Sequence, residues 1–297
     1  MFMFMHGNGK RWAMLPASLA AIAALGAGGT AVMANVTDGF ATPANWSLVA
    51  ANAAVTNGLP MMPSGSDALG LTSDNTNEIA GAWYKTAQNM AASWTATFTW
   101  QMSSAANAPG DGFMFAVQDH GLNALGYGGS DKGFVDATGS RSNTIPVNPS
   151  FGAGVENYSY TNEVDIGEDG AFLLSGKAAQ VSSSTLNLQT DTNPINFTIG
   201  YSNSTDVVTI SAVDSTNSAD SLSTNYTLSS SLASILGQNT AYVGFTGSTG
   251  GVSEAQVFTN FNFTTAVPEP ASLAVLAVGG GLGLLLIGRR RTSRRKA

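Results

Sequence analysis

The sequence predicts an all-β domain of the sandwich or jelly-roll class, flanked by an N-terminal signal peptide and a C-terminal transmembrane helix. Three observations predict the domain. Trp94, Ala96, Phe98, Trp100 and Met102 alternate with Thr95, Thr97, Thr99 and Gln101, the period of two of a strand with one apolar face. No long helical period runs between residues 35 and 266. That stretch is also rich in Ser, Thr, Asn and Gly and poor in Lys and Glu, as in secreted β proteins.

At the N-terminus, Lys10 and Arg11 precede an apolar stretch from Leu15 to Gly26 and small residues ending at Val32-Met33-Ala34. This is the layout of a secretory signal peptide cleaved after Ala34, and the Ala/Gly-rich run is too weakly apolar for a retained anchor. Residues 35–266 are expected to form a single domain with a substantial core.

Within that domain, strands are expected over Trp94–Met102 and at Phe113, Phe115 and Val117, after the Pro109-Gly110-Asp111-Gly112 turn. Others are expected over Ile195–Gly200, Val207–Val213, Tyr242–Phe245 and Ala255–Phe263. Asn203-Ser204, Asp214-Ser215 and Gly247–Gly251 supply turns. Ser231–Leu236 fits one helical turn, and no internal repeat is visible.

Residues 267–297 carry three unlike signals in order: Val267-Pro268-Glu269-Pro270, an uncharged apolar run Ala271–Ile287, and a basic tail of five arginines and Lys296. The prolines hold Glu269 in an extended, accessible segment. The run is about the shortest that spans a bilayer as a helix. The arginines would stay on the cytoplasmic side. An ordinary C-terminal anchor behind a Pro-rich linker would have the same three parts.

Charge is unevenly distributed. Of 12 Lys and Arg, only Lys85, Lys132, Arg141 and Lys177 lie in residues 35–266, against all but one of the 19 Asp and Glu. So acidic a domain argues against nucleic acid or anionic lipid as a partner and is compatible with neutral glycans. Cysteine is absent, which removes disulfide and thiol chemistry. His6 lies in the leader and His120 stands alone, so neither supports nucleophilic or metal chemistry.

The C-terminal order around Pro268, Glu269 and Pro270 resembles the PEP-CTERM sorting signal of Gram-negative bacteria. The resemblance implies an exosortase-type membrane protease as partner. It also implies a membrane-anchored precursor, and then a location at the cell surface or in the extracellular matrix.

Three segments of the domain resemble the L-type (legume-type) lectin family, whose fold is the concanavalin-like sandwich. They are Ala82-Trp83-Tyr84-Lys85 leading into Trp94–Trp100, Asp111–Gly121 with Ala124–Gly129, and Asn239–Gly251 with the strand to Phe263. The resemblance implies carbohydrate binding by Asp111, by a glycine loop at Gly128 and Gly129, and by a specificity loop, Gly247–Gly251, with Ser248 and Thr249. Tyr127 or Tyr158 would be an aromatic platform. Asp111 alone also reads as a turn residue. A carboxylate accepting two sugar hydroxyls beside backbone N–H groups of a glycine loop would be sound chemistry.

The family also holds Ca²⁺ with a Glu-x-Asp pair, and the stretch matched to it, Thr144-Ile145-Pro146-Val147-Asn148-Pro149, lacks those carboxylates. Glu156 and Glu163 fall near later positions, and the family's sugar-contacting Asn has no clear equivalent. Hard cations need several oxygen ligands, so metal content stays open.

Glu163-Val164-Asp165-Ile166-Gly167-Glu168 looks like the catalytic strand of family 16 glycoside hydrolases. That resemblance implies Glu163 as nucleophile and Glu168 as acid/base with Asp165 between them, provided a bulge turns Glu168 onto their face. Glu168-Asp169-Gly170 also reads as a solvated turn. The leading expectation is a non-catalytic glycan-binding protein of an exopolysaccharide or biofilm matrix. The alternatives are a structural matrix protein without sugar binding and the hydrolase.

Overall fold

The computed structural model describes residues 35–103, 109–135, 147–158, 163–173 and 186–266. The expected signal peptide and the sorting segment with Pro268, Glu269 and Pro270 lie outside the described residues. Among the described residues, no helix is long and apolar enough to cross a membrane.

The strands in chain order are β1 (Trp46–Asn52), β2 (Ala68–Thr72), β3 (Glu78–Tyr84), β4 (Gln88–Asn89), β5 (Trp94–Met102), β6 (Gly112–Gln118) and β7 (Ser150–Glu156). They continue as β8 (Glu163–Glu168), β9 (Ala171–Phe172), β10 (Ile195–Ser202), β11 (Val207–Asp214), β12 (Ser221–Thr227), β13 (Thr240–Ser248) and β14 (Gln256–Thr265). Two short helices accompany them, α1 (Ala53–Asn57) and α2 (Leu232–Leu236). One sheet runs β1-β3-β13-β6-β7-β8-β9, with β4 on β13, and the other runs β12-β11-β10-β5-β14-β2. Adjacent strands pair antiparallel, so this is an all-β jelly-roll sandwich.

The expected alternation of β5 is realised, with Trp94, Ala96, Phe98, Trp100 and Met102 all buried. Phe98 stacks on Phe197 of β10 at 5.2 Å and meets Phe245 of β13 edge-on at 5.0 Å. Such pairs add about 0.5–1.5 kcal/mol each beyond area burial. In β14 the period of two slips by one residue. A bulge between Thr259 and Asn262, with Asn260 at φ 56°, lets both Phe258 and Phe261 enter the core. The helical turn expected at Ser231–Leu236 is α2, opened by Ser231 as N-cap and closed by Gly237 in the left-handed region.

Strands β3 and β6 are buried along their whole length, on both faces. Phe113, Phe115 and Val117 of β6 belong to the core between the sheets, while Met114 and Ala116 join Phe134, Ala124 and Trp83 in a second cluster on the other face. The segment from Gly121 to Val135 therefore covers the outer face of the first sheet, fastened where Trp83 Nε1 donates to the Ala124 carbonyl at 2.8 Å. This cover brings the glycine loop to the start of β6.

Candidate functional site

Asp111 immediately precedes β6, and the Gly110–Asp111 peptide is cis. Its backbone N–H donates to the Ser248 carbonyl at 3.0 Å, the last residue of the neighbouring β13. On the other side, β7 pairs Glu156 with Gly112 and so carries Glu156 to the same end of the sheet. The sandwich thus joins residues far apart in sequence at one strand end.

The Asp111 side chain is 4% exposed, and its Oδ2 is buried without a hydrogen-bond partner. Burial first, and then Glu156, raise its pKa to about 6, with Asp131 adding to the rise and Lys132 opposing it. Gly129 and Gly250 flank the carboxylate: a Cβ would lie 3.9 Å from Oδ2 at Gly129 and 2.7 Å from it at Gly250. Gly129 adopts φ 69°, which favours glycine, and the adjoining Gly128 presses on Ile79 too closely for a side chain. Asp111, Gly128, Gly129 and the loop after β13 are therefore neighbours in space.

Ser248 and Thr249 take a different part from the one expected of a specificity loop. Both side chains are buried, at 0% and 1% exposure. Ser248 Oγ donates to the Gly129 carbonyl at 2.7 Å. Thr249 Oγ1 donates to the Asn75 carbonyl at 2.7 Å and accepts the Glu78 N–H at 2.9 Å. They brace the walls, and Gly250 is the residue over Asp111. Of the two aromatic candidates, Tyr158 is 42% exposed and its ring edge lies 3.2 Å from where a Cβ on Gly110 would stand. Tyr127 shapes the covering segment through backbone bonds to Val135 and Gly133.

Sequence reasoning missed the charges behind Asp111. Lys132 is fully buried and bonds Glu156 Oε2 at 2.5 Å and Asp165 Oδ2 at 2.8 Å. Burial raises the Glu156 pKa, against the lowering effect of Lys132. Glu254, buried and accepting from Asn157 Nδ2 at 2.6 Å, has its pKa raised to about 8, first by desolvation and then by neighbouring carboxylates including Asp111. The usable signal for Lys132 was its scarcity, as one of four cations in so acidic a domain.

The three-carboxylate hydrolase face is not formed. β7 and β8 pair without a register shift, so Glu168 shares a side with Val164 and Ile166 of the inter-sheet core, opposite Glu163 and Asp165. Asp165 is the ion-pair partner of Lys132, and Glu168 accepts from Ser229 at 3.4 Å. No bulge turns Glu168 toward Glu163.

A model of the legume lectin domain matches residues 39–275. The chain belongs to the legume lectin family. Solved legume structures share its fold at low identity. The basic winged bean lectin, solved with Tn-antigen, is 15% identical over 79% of this chain and 98% of its own, with a TM-score of 0.58. The Bauhinia forficata lectin in complex with GalNAc is 15% identical over 78% and 97%, at 0.57. Arcelin-5, a lectin-like defence protein of Phaseolus vulgaris, is 13% identical over 75% and 93%, at 0.58. No curated protein matches the chain.

The lectin family implies Ca²⁺, and the described residues do not fit it. A calcium ion takes 6–8 oxygen ligands. Here Glu156 and Asp165 are occupied by the Lys132 ammonium, and no group of three or more His, Asp or Glu among the described residues converges to hold a metal. In the stretch matched to the Glu-x-Asp pair, residues 144–146 lie outside the described residues, and Asn148 accepts from His120 through its backbone oxygen. Strand pairing brings one carboxylate, Glu156 of β7, to the end of the sheet where Asp111 lies.

Proposed function

We propose that the protein is an exported, non-catalytic lectin that binds a neutral glycan at Asp111, between the glycine loops of Gly128-Gly129 and Gly250. The observation that carries this reading is the buried Asp111 Oδ2, which lacks a partner while the two residues against it, Gly129 and Gly250, carry no side chain. A buried acceptor without a donor costs about 1–3 kcal/mol, and a sugar hydroxyl supplies the donor. Tyr158 beside Gly110 would offer an apolar face to the ring. GalNAc and Tn-antigen, found with the Bauhinia and winged bean lectins, are the first ligands to try.

The leader of residues 1–34 and the Pro268-Glu269-Pro270 tail support export, anchoring as a membrane precursor and exosortase processing. The reading continues to a place at the cell surface or in an exopolysaccharide or biofilm matrix of a Gram-negative bacterium. Glu269→Ala should then leave the unprocessed precursor in the membrane fraction.

A second reading has its own observation: Asp111 is nearly covered, with Gly250 lying over it. A structural matrix protein that retains the fold without binding sugar would look the same. Glycan-array binding that disappears in Asp111→Ala supports the lectin. Absence of binding to every glycan, with matrix retention unchanged in that variant, establishes the structural role.

A further inference from the structure

Lys132 is an unusual residue to find at 0% exposure. It follows the 3₁₀ turn Gly129–Asp131 and adopts φ 52°, with its backbone N–H donating to the Gly129 carbonyl at 2.9 Å. The turn that shapes the glycine loop therefore also aims this side chain inward. Its Nζ meets three oxygens: Ser130 O at 2.7 Å, Glu156 Oε2 at 2.5 Å and Asp165 Oδ2 at 2.8 Å. An ammonium has three hydrogens, so its donors are all engaged. The Phe172 ring closes the remaining side at 4.3 Å.

We infer that the Lys132 ammonium is the built-in cation of this domain, holding Glu156 and Asp165 behind Asp111 so that the sugar site works without a divalent metal. The inference rests on the lectin reading for its functional half, and on the ion-pair geometry alone for its metal half. A tethered ammonium neutralises one of two clustered carboxylates and fixes both in place. A divalent ion at the same oxygens would face Lys132 at hydrogen-bond distance, and like charges so close in a buried site repel strongly. Lys132 is a positioning residue, since it reaches Asp111 through the field and through the Gly129 turn.

The test uses the full protein, dialysed against EDTA. Metal content by mass spectrometry, Tm with EDTA or with millimolar CaCl₂ or MnCl₂, and glycan-array binding in the same buffers are compared. The expected result is no stoichiometric metal, one Tm in all buffers, and binding undiminished in EDTA. Retained stoichiometric metal, a saturable rise in Tm with Ca²⁺ or Mn²⁺, or binding that requires either ion overturns the inference. Absence of glycan binding in every buffer defeats the lectin reading, while metal content and Tm still decide whether Lys132 replaces the ion. Lys132→Met, folded by circular dichroism, should lose at least about tenfold in glycan affinity in EDTA, corresponding to about 1.4 kcal/mol. Lys132→Arg should restore part of that affinity. Undiminished binding by the Met variant overturns the positioning role, and the metal measurements on wild-type protein stand even if that variant does not fold.

Discussion

Ser248 Oγ donates to the Gly129 carbonyl at 2.7 Å, tying the end of β13 to a loop 119 residues earlier in the chain. Both flank Asp111, whose own N–H is held by the Ser248 carbonyl. One serine thus fixes the two walls of the candidate site relative to the carboxylate between them.

Ser248→Ala should therefore weaken the site while leaving the fold. Loss of one buried hydrogen bond costs about 1 kcal/mol, and the Gly129 carbonyl keeps the Lys132 N–H as a donor. Thermal denaturation should show a Tm lower by a few degrees, and glycan affinity should fall by a larger factor than in a surface Ser→Ala control. Equal losses in the two variants would remove Ser248 from the site.

Two adjacent glycines make a matched pair. A Cβ at Gly250 would stand 2.7 Å from Asp111 Oδ2, whereas one at Gly251 meets nothing within 4 Å. Gly250→Ala should abolish glycan binding with a normal circular dichroism spectrum, and Gly251→Ala should bind as wild type. Titration calorimetry on both variants checks this.

The pH dependence of binding follows from Asp111. Its pKa of about 6 in the folded chain lies above the ordinary 3.8, so folding disfavours the charged form. Its contribution to stability is greatest at low pH and is lost as pH rises through about 6. A carboxylate that accepts sugar hydroxyls acts in the opposite sense. Glycan affinity should fall about tenfold per pH unit below 6. Asp111→Asn should remove this acid limb, and affinity flat from pH 7 to pH 5 in the wild type would exclude Asp111 as the acceptor.

Glu254 gives a separate prediction about stability. Its Oε1 and the Oδ1 of Asn157 are both buried without partners, and a proton on Glu254 provides a donor in a cluster of acceptors. With a folded pKa of about 8 against the usual 4.5, it favours folding at low pH and loses that contribution as pH rises through 8. Glu254→Gln, a neutral mimic of the protonated acid, should raise Tm at pH 8 and change it little at pH 5. Equal Tm changes at both values would show that titration of Glu254 does not govern stability.

What could be read from the chain depended on how each strand is buried. β5, β10 and β11 bury one face and leave the other polar, so their period of two is written in the sequence. β3 is covered on both sides, and β12 is an exposed edge with little apolar content. β3 shows no alternation, the alternation of β12 is carried largely by polar residues, and neither strand was foreseen. Asp111 and its glycine loops were singled out through the family resemblance, and only the fold shows that Gly129 and Gly250 lie against the carboxylate. The roles of Ser248 and Thr249 were not, since a hydroxyl facing a ligand and one bracing a carbonyl have the same sequence.

The sequence by itself determined the class of the fold and its acidity, because composition and periodicity are local properties of the chain, and its motifs carried the family resemblance. Only the tertiary structure decided which charges meet. Lys132 lies 24 residues from Glu156, and Asn157 lies 97 from Glu254. The sheet register and the covering segment alone bring them into contact. It also turned Glu168 away from Glu163, since an unbroken ladder sends alternate side chains to opposite faces. Burial and distance give these charges their chemistry, and both arise only when strands and loops distant in sequence come together.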